Sequence, residues 1–127
     1  MIVLDASAAV LALLNNGDAR SAVSVEIVAV PHLVDSEVVH ALRGLVRRQT
    51  LSTDQAGAAL ARWARLGVLR LGLHGVLDRM WALRANLSAY DAGYVALAEA
   101  LDCSLVTADA RLAGAPGLRC SVTVVRR

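Results

Sequence analysis

The stretch "SLVTADARL", residues 104–112, reads as a short apolar strand that closes on Thr107 and gives way, two residues later, to Asp109 at the start of a helix. A single carboxylate at such a junction is ordinary, because it accepts hydrogen bonds from the first free N–H groups of the helix. The same arrangement occurs at the N-terminus. There "MIVL" ends in Asp5, and the apolar run "ASAAVLALL", residues 6–14, follows as a helix.

Working outward from these two junctions gives an alternation of strands and helices. "NNGD" is a turn with a second short helix after Asp18, and "IVAV", residues 27–30, is a buried strand stopped by Pro31. Val38, Leu42, Leu45 and Val46 follow a helical period within residues 33–49, and a further helix covers residues 52–66 with Thr53 and Asp54 as candidate caps. "VLRL", residues 68–71, is a third strand. Helices at 75–85 and 89–101 lead to "SLVTA", then comes a short helix at 109–113 and a last strand, "SVTVV". Apolar strands without polar alternation, separated by helices, predict an α/β domain: a central, mainly parallel sheet covered by helices on both faces.

Composition agrees with one such domain over residues 1–127. The chain is 57% hydrophobic but only 3% aromatic and has no Phe, so its core is built from Ala, Val and Leu. Its N-terminal apolar run is far shorter than the roughly 20 residues that span a bilayer, and Asp5, not a basic segment, precedes it. No membrane segment or signal peptide is expected, and the expected location is cytoplasmic. Cys103 and Cys120 lack C-x-x-C spacing and read as reduced thiols, while His32, His40 and His74 show no ligand spacing. Residues 43–84 carry eight Arg against two acids, a net of +6, whereas the remainder carries five Arg against nine acids, a net of −4. The basic middle is either a solvated helical face or a surface for phosphates or an acidic partner.

In a parallel sheet, ligands bind beyond the carboxyl ends of the strands. Asp5 and Asp109 belong at that edge, and so does Glu37, near the start of the helix after "IVAVP". A fourth acid, Asp91 in "LSAYDAGYVALAEA", stands three residues after Ser88 in a capping-box pattern, and the sequence alone does not place it.

Taken together, "MIVLDASA", "VPHLVDSEVVHALR" and "LSAYDAGYVALAEALDCSLVTADARL" resemble the PIN domain, and specifically the VapC-type toxins of bacterial toxin–antitoxin pairs. The resemblance covers nearly the whole chain. It implies that Asp5, Glu37, Asp91 and Asp109 form the catalytic, metal-holding set, with Ser7 and Thr107 in support. It also implies an RNA substrate cleaved to a 5′-phosphate and a 3′-hydroxyl, a VapB-like antitoxin partner, and a homodimer to which residues 33–66 contribute. His40 departs from the pattern, since relatives commonly carry Asn at that position.

Clustered carboxylates need compensating cations. All-oxygen donors suit Mg2+ or Mn2+, and the lack of a Cys/His set disfavours zinc. Such a cation activates water and neutralises charge on a phosphodiester, so the expected reaction is phosphodiester hydrolysis. Arg43 and Arg47 on one helical face, and Arg48 on the neighbouring face with Glu37, are candidate contacts for RNA or for acidic antitoxin residues; a basic antitoxin residue is expected in the acidic cluster. Other phosphate chemistries fit less well. The chain has no Lys for a receiver-like module, has Ser7 where a haloacid-dehalogenase-like phosphatase carries a second Asp, and contains neither G-x-x-x-x-G-K-[ST] nor G-x-G-x-x-G. The remaining alternative is a non-catalytic PIN-like module that binds RNA or antitoxin.

Overall fold

The computed structural model describes residues 1–126. Five strands form one sheet: β1 (Ile2–Leu4), β2 (Val28–Pro31), β3 (Leu69–Leu71), β4 (Ser104–Thr107) and β5 (Val122–Val124), in the spatial order β3-β2-β1-β4-β5. Every pairing is parallel. All carboxyl ends therefore share one edge.

β1 sits at the centre, and all three of its residues are buried, so both faces of the sheet are covered. On one face, α1 (Ala6–Leu14) packs against α2 (Asp18–Val25), α3 (Val34–Arg47) and α4 (Thr53–Arg65). On the other, α6 (Ala89–Ala100) lies across β1, β2 and β4 and carries α5 (Leu77–Ala82) on its outer side. A short α7 (Ala110–Ala113) follows β4. Ala8, Ala9, Ala92 and Ala98 are fully buried where these helices meet the sheet, which is how an aliphatic core without Phe closes at native density. None of the helices in residues 1–126 is long and apolar enough to cross a membrane.

Three local readings change. Pro31 does not stop β2 before itself; it is the last residue of the strand and pairs with Leu71, while the register with β1 ends at Ala29. α4 is capped by Ser52, which accepts from the Gln55 N–H at 3.0 Å while the Gln55 side chain returns to the Ser52 N–H at 2.9 Å. The capping box thus begins one residue before Thr53. The helix expected at 75–85 breaks into a 3-10 turn, His74–Val76, and the shorter α5, because Gly72 and Gly75 are weak helix formers at its start.

Two ion-paired clamps hold the layers. Asp35 at the start of α3 accepts from Trp63 Nε1 at 2.7 Å and, through both oxygens, from Arg70 at 2.8 and 2.9 Å, joining α3, α4 and β3. Glu99 on α6 receives Arg79 of α5 at 2.6 and 3.1 Å and the Arg119 backbone N–H at 2.8 Å. Hydrogen bonds from Arg70 hold the Asp35 carboxyl below its usual range. Because the folded-state value is depressed, its stabilisation is complete above the unfolded carboxylate range and is lost as pH falls through the folded value. Asp35→Ala is expected to lower stability by about 1–2 kcal/mol at pH 7, a range kept modest by partial exposure. The deficit relative to wild type should begin to shrink as pH falls below ~4 and be gone only below the depressed folded value. Denaturant titrations at pH 7 and below that value check this, and a deficit of equal size at both would assign the loss to packing.

Candidate active site

The site begins with a buried acid. Asp5 caps α1 immediately after β1 and is only 6% exposed. Its Oδ1 accepts from the Ala8 N–H at 2.9 Å and from the Ser7 hydroxyl at 2.6 Å, and its Oδ2 accepts from the Thr107 hydroxyl at the end of β4. Those two hydroxyls also accept. Ser7 Oγ takes the Ala108 N–H at 2.9 Å and Thr107 Oγ1 takes the Asp109 N–H at 3.0 Å. Each hydroxyl has one proton, and both protons point at Asp5. Ser7 and Thr107 thereby relay two backbone N–H groups of the β4–α7 junction onto Asp5.

The other three acids reach the same edge by topology. Glu37 lies in the first turn of α3, which starts where β2 ends. Asp109 is the N-cap of α7, two residues beyond β4. Asp91 lies in the first turn of α6, and because that helix returns along the sheet before β4 begins, its N-terminus stands at the carboxyl edge. Ser88 accepts from the Asp91 N–H at 3.2 Å, so the local capping contact is real. It leaves the Asp91 carboxylate facing the site, where it lines a cleft of about 190 Å³ together with Asp109 and Arg111.

The carboxylates sense one another. Burial, and then the charges of Asp5 and Asp91, push the Glu37 carboxyl up, against a hydrogen bond from Tyr94. Burial, and then the charges of Asp5 and Asp109, push Asp91 up, with Ser88 and Arg111 opposing. Each acid also has an individual restraint. The Tyr94 hydroxyl donates to Glu37 Oε1 at 2.8 Å, and burial followed by this bond raises the phenol well above its ordinary range. Arg111 donates to both oxygens of Asp109 at 3.1 and 2.9 Å, and its backbone N–H caps Oδ1 at 3.0 Å. Among the described residues no three His, Cys, Asp or Glu side chains stand close enough to hold an ion as they are. Surplus negative charge on oxygen donors is nonetheless the chemistry that attracts a hard divalent cation.

The arginine expectations divide. Arg43 and Arg47 are exposed on α3 and have no ion pair among the described residues. Arg48 lies over Gly44, where a Cβ would stand 3.2 Å from its Nη1, and with His40 it lines a cleft of about 510 Å³ between α1 and α3 that opens beside Ser7 and Ala108. Sequence reasoning missed Tyr94 and Asp35. The one signal for Tyr94 is its spacing, three residues after Asp91 on one face of α6, and its apolar surroundings mask it.

A PIN domain model matches residues 2–118. Ribonuclease VapC9 of Mycobacterium tuberculosis is 54% identical over 127 residues, covering all of both chains. Among solved structures, VapC20 of Mycobacterium tuberculosis, titled a sarcin–ricin loop cleaving toxin, matches with a TM-score of 0.63 at 20% identity, over 90% of this chain and 94% of that one. VapBC2 from Rickettsia felis, bound to a DNA fragment from its promoter, matches with a TM-score of 0.70 at 14% identity, over 98% and 99%. These last two likenesses are of fold.

The raised carboxyls of Glu37 and Asp91 carry a stability consequence. A folded-state value above the unfolded one means stability that is complete at low pH and lost as pH rises through the folded value. In EDTA at pH 7, Glu37→Gln and Asp91→Asn are each expected to melt above wild type, with the gap closing as pH falls to ~4. Asp5→Asn is the poorer variant, because its amide would turn a donor toward one of three donors already aimed there. Thermal melts across that pH range test the cluster, and a gap independent of pH would show that the acids do not repel one another.

Proposed function

The chain belongs to the PIN domain family, and within it we propose a metal-dependent endoribonuclease toxin held in check by a small cognate antitoxin. The observation that carries this reading is the gathering of Asp5, Glu37, Asp91 and Asp109 at the carboxyl edge of the sheet, where burial and then the charges of neighbouring acids raise the Glu37 and Asp91 carboxyls. Four acids arranged to repel one another are costly unless a cation and a polyanionic substrate use the charge. The names of the relatives, VapC9 among them, supply the substrate class, RNA.

Asp5, Asp91, Glu37 and Asp109 would hold Mg2+ or Mn2+, which when bound supplies an activated water and charge neutralisation at the phosphodiester. The chain's own residues prepare for this. Ser7 and Thr107 fix the rotamer of Asp5, Tyr94 fixes Glu37, and Arg111 keeps a positive charge beside Asp109 that can be transferred to a phosphate. Arg43 and Arg47, exposed on the helix that carries Glu37, extend the positive surface for the RNA backbone.

The cleft between α1 and α3 suits the antitoxin. Its walls include Val10, Leu11, Leu14, Ala41 and Leu45, and it runs toward Ser7 at the acidic site. An apolar antitoxin segment seated there places a basic residue among the carboxylates, while its acids reach Arg47. Leu33, just before α3, and Val39 on it, both apolar and exposed, offer a surface for a homodimer. The setting in which such a toxin meets RNA is cytoplasmic.

Wild-type protein is expected to cleave single-stranded RNA with Mg2+ or Mn2+ and not in EDTA, and Asp91→Asn to lose more than about 100-fold. Metal-independent RNA binding without cleavage would favour the non-catalytic module. Ala41→Arg is expected to leave cleavage intact while weakening inhibition by the antitoxin, and Arg47→Ala to weaken it less. Unchanged inhibition in both variants would place the antitoxin elsewhere.

A further inference from the structure

The chain has only two tryptophans, and they are used in opposite ways. Trp63 is 4% exposed and bonded to Asp35. Trp81, on the outer side of α5, is 69% exposed, unusual for a residue that is highly buried on average. The Arg84 guanidinium lies over its ring at 4.6 Å from the centroid, and Arg84 Nη1 donates to the Trp81 carbonyl at 2.9 Å. The pair is thus ordered without any partner.

Beside it is a cleft of about 320 Å³ lined by Leu77, Met80, Trp81, Arg84, Leu87 and Ala89. Leu87 is also a wall of the cleft that holds Asp91 and Asp109. Leu87 is thus a wall common to the two clefts. Tyr90, 61% exposed, stands in the first turn of α6 directly before Asp91. Of the four aromatic residues in the chain, the two exposed ones are Tyr90, next to Asp91 in the chain, and Trp81, whose cleft shares Leu87 with the cleft of Asp91 and Asp109.

We propose that Trp81 and Arg84 form a stacking subsite for an unpaired nucleobase of the RNA, one step along the strand from the phosphodiester at the carboxylates. The proposal rests on the ribonuclease reading for the identity of the strand. Every base has a π-face, so an indole or a guanidinium plane accepts any of them, and single-stranded segments are the RNA whose bases are free to be taken. Arg84 adds a cation where the backbone passes, and an unpaired positive charge at the rim suits a polyanion better than an apolar protein segment. Trp81 is a positioning residue here; the chemistry stays with the acids.

The test uses the full chain and a fluorescein-labelled single-stranded RNA oligomer, with an oligomer of the same length made of abasic ribose phosphates as the comparison. Without divalent cation, Trp81→Ala is expected to weaken binding of the RNA about 5- to 100-fold while hardly altering that of the abasic oligomer, and Trp81→Tyr to restore most of it. In steady-state cleavage the same loss should appear in KM with kcat kept, as for binding made equally in ground and transition states. RNA binding by Trp81→Ala within about twofold of wild type would overturn the subsite, as would an equal loss on both oligomers. A changed mass for Trp81→Ala in light scattering would also overturn it, showing the cleft to be a protein interface. If wild type binds through Trp81 but cleaves nothing, the ribonuclease reading fails and the subsite stands; cleavage unaffected by Trp81→Ala is the reverse case.

Discussion

The architecture turns on the buried Asp5 carboxylate. A charge taken from water is stabilised only where donors replace the water it loses, and Asp5 receives the Ala8 N–H and the hydroxyls of Ser7 and Thr107. Two of those donors are relays whose other contacts are the backbone of the β4–α7 junction. One side chain thereby ties the end of β1, the start of α1 and the end of β4, strands that are adjacent in the sheet. Loosening it would release Asp109 as well, because the Asp109 N–H is held by the same Thr107 hydroxyl.

The parallel sheet was legible because its central strands, β1 and β2, are continuous apolar runs flanked by helix-forming sequence, as in a sheet covered on both faces, whereas the edge strands β3 and β5 carry Arg70 and Thr123 and are only partly buried. The edge position of Asp5, Glu37 and Asp109 followed from strand ends alone. Asp91 did not, because its local sequence is that of a capped helix, and only the return of α6 along the sheet brings its first turn to the site. Residues 72–83 were the least legible stretch. Glycines there weaken the helical signal, and the 3-10 turn depends on packing that no single-sequence period records. Tyr94 was hidden for a different reason, since an inward-facing residue on a helix this apolar looks like core, which it also is.

The basic middle of the chain was ambiguous by composition and remains divided in structure. Arg62 donates to the Leu13 carbonyl at the end of α1, Arg70 holds Asp35 and Arg79 holds Glu99. These are local tasks in which a planar, multi-donor cation is used for its geometry. Net charge in the segment therefore overstates the surface available to a polyanion, which reduces to Arg43, Arg47, Arg84 and a few neighbours. Summed charge locates a region, and only the hydrogen-bond census says what remains.

The same residue type thus occupies two electrostatic regimes in one small domain. Asp35 and Glu99 each meet an arginine through two oxygens, and hydrogen bonds from that partner hold them below their usual range despite burial. Glu37 and Asp91 are more deeply buried and have only a phenol, a serine and a distant arginine against that burial and the charges of their fellow acids, and they are held above it. Thirteen arginines were available to the sequence, and none forms a direct ion pair with Asp5, Glu37 or Asp91 in the described residues. A fold selected for stability alone would have neutralised these acids as it did Asp35. It satisfies one set of carboxylates and leaves the other raised by burial and neighbouring negative charge, and that difference is what sets the second group apart from the scaffold.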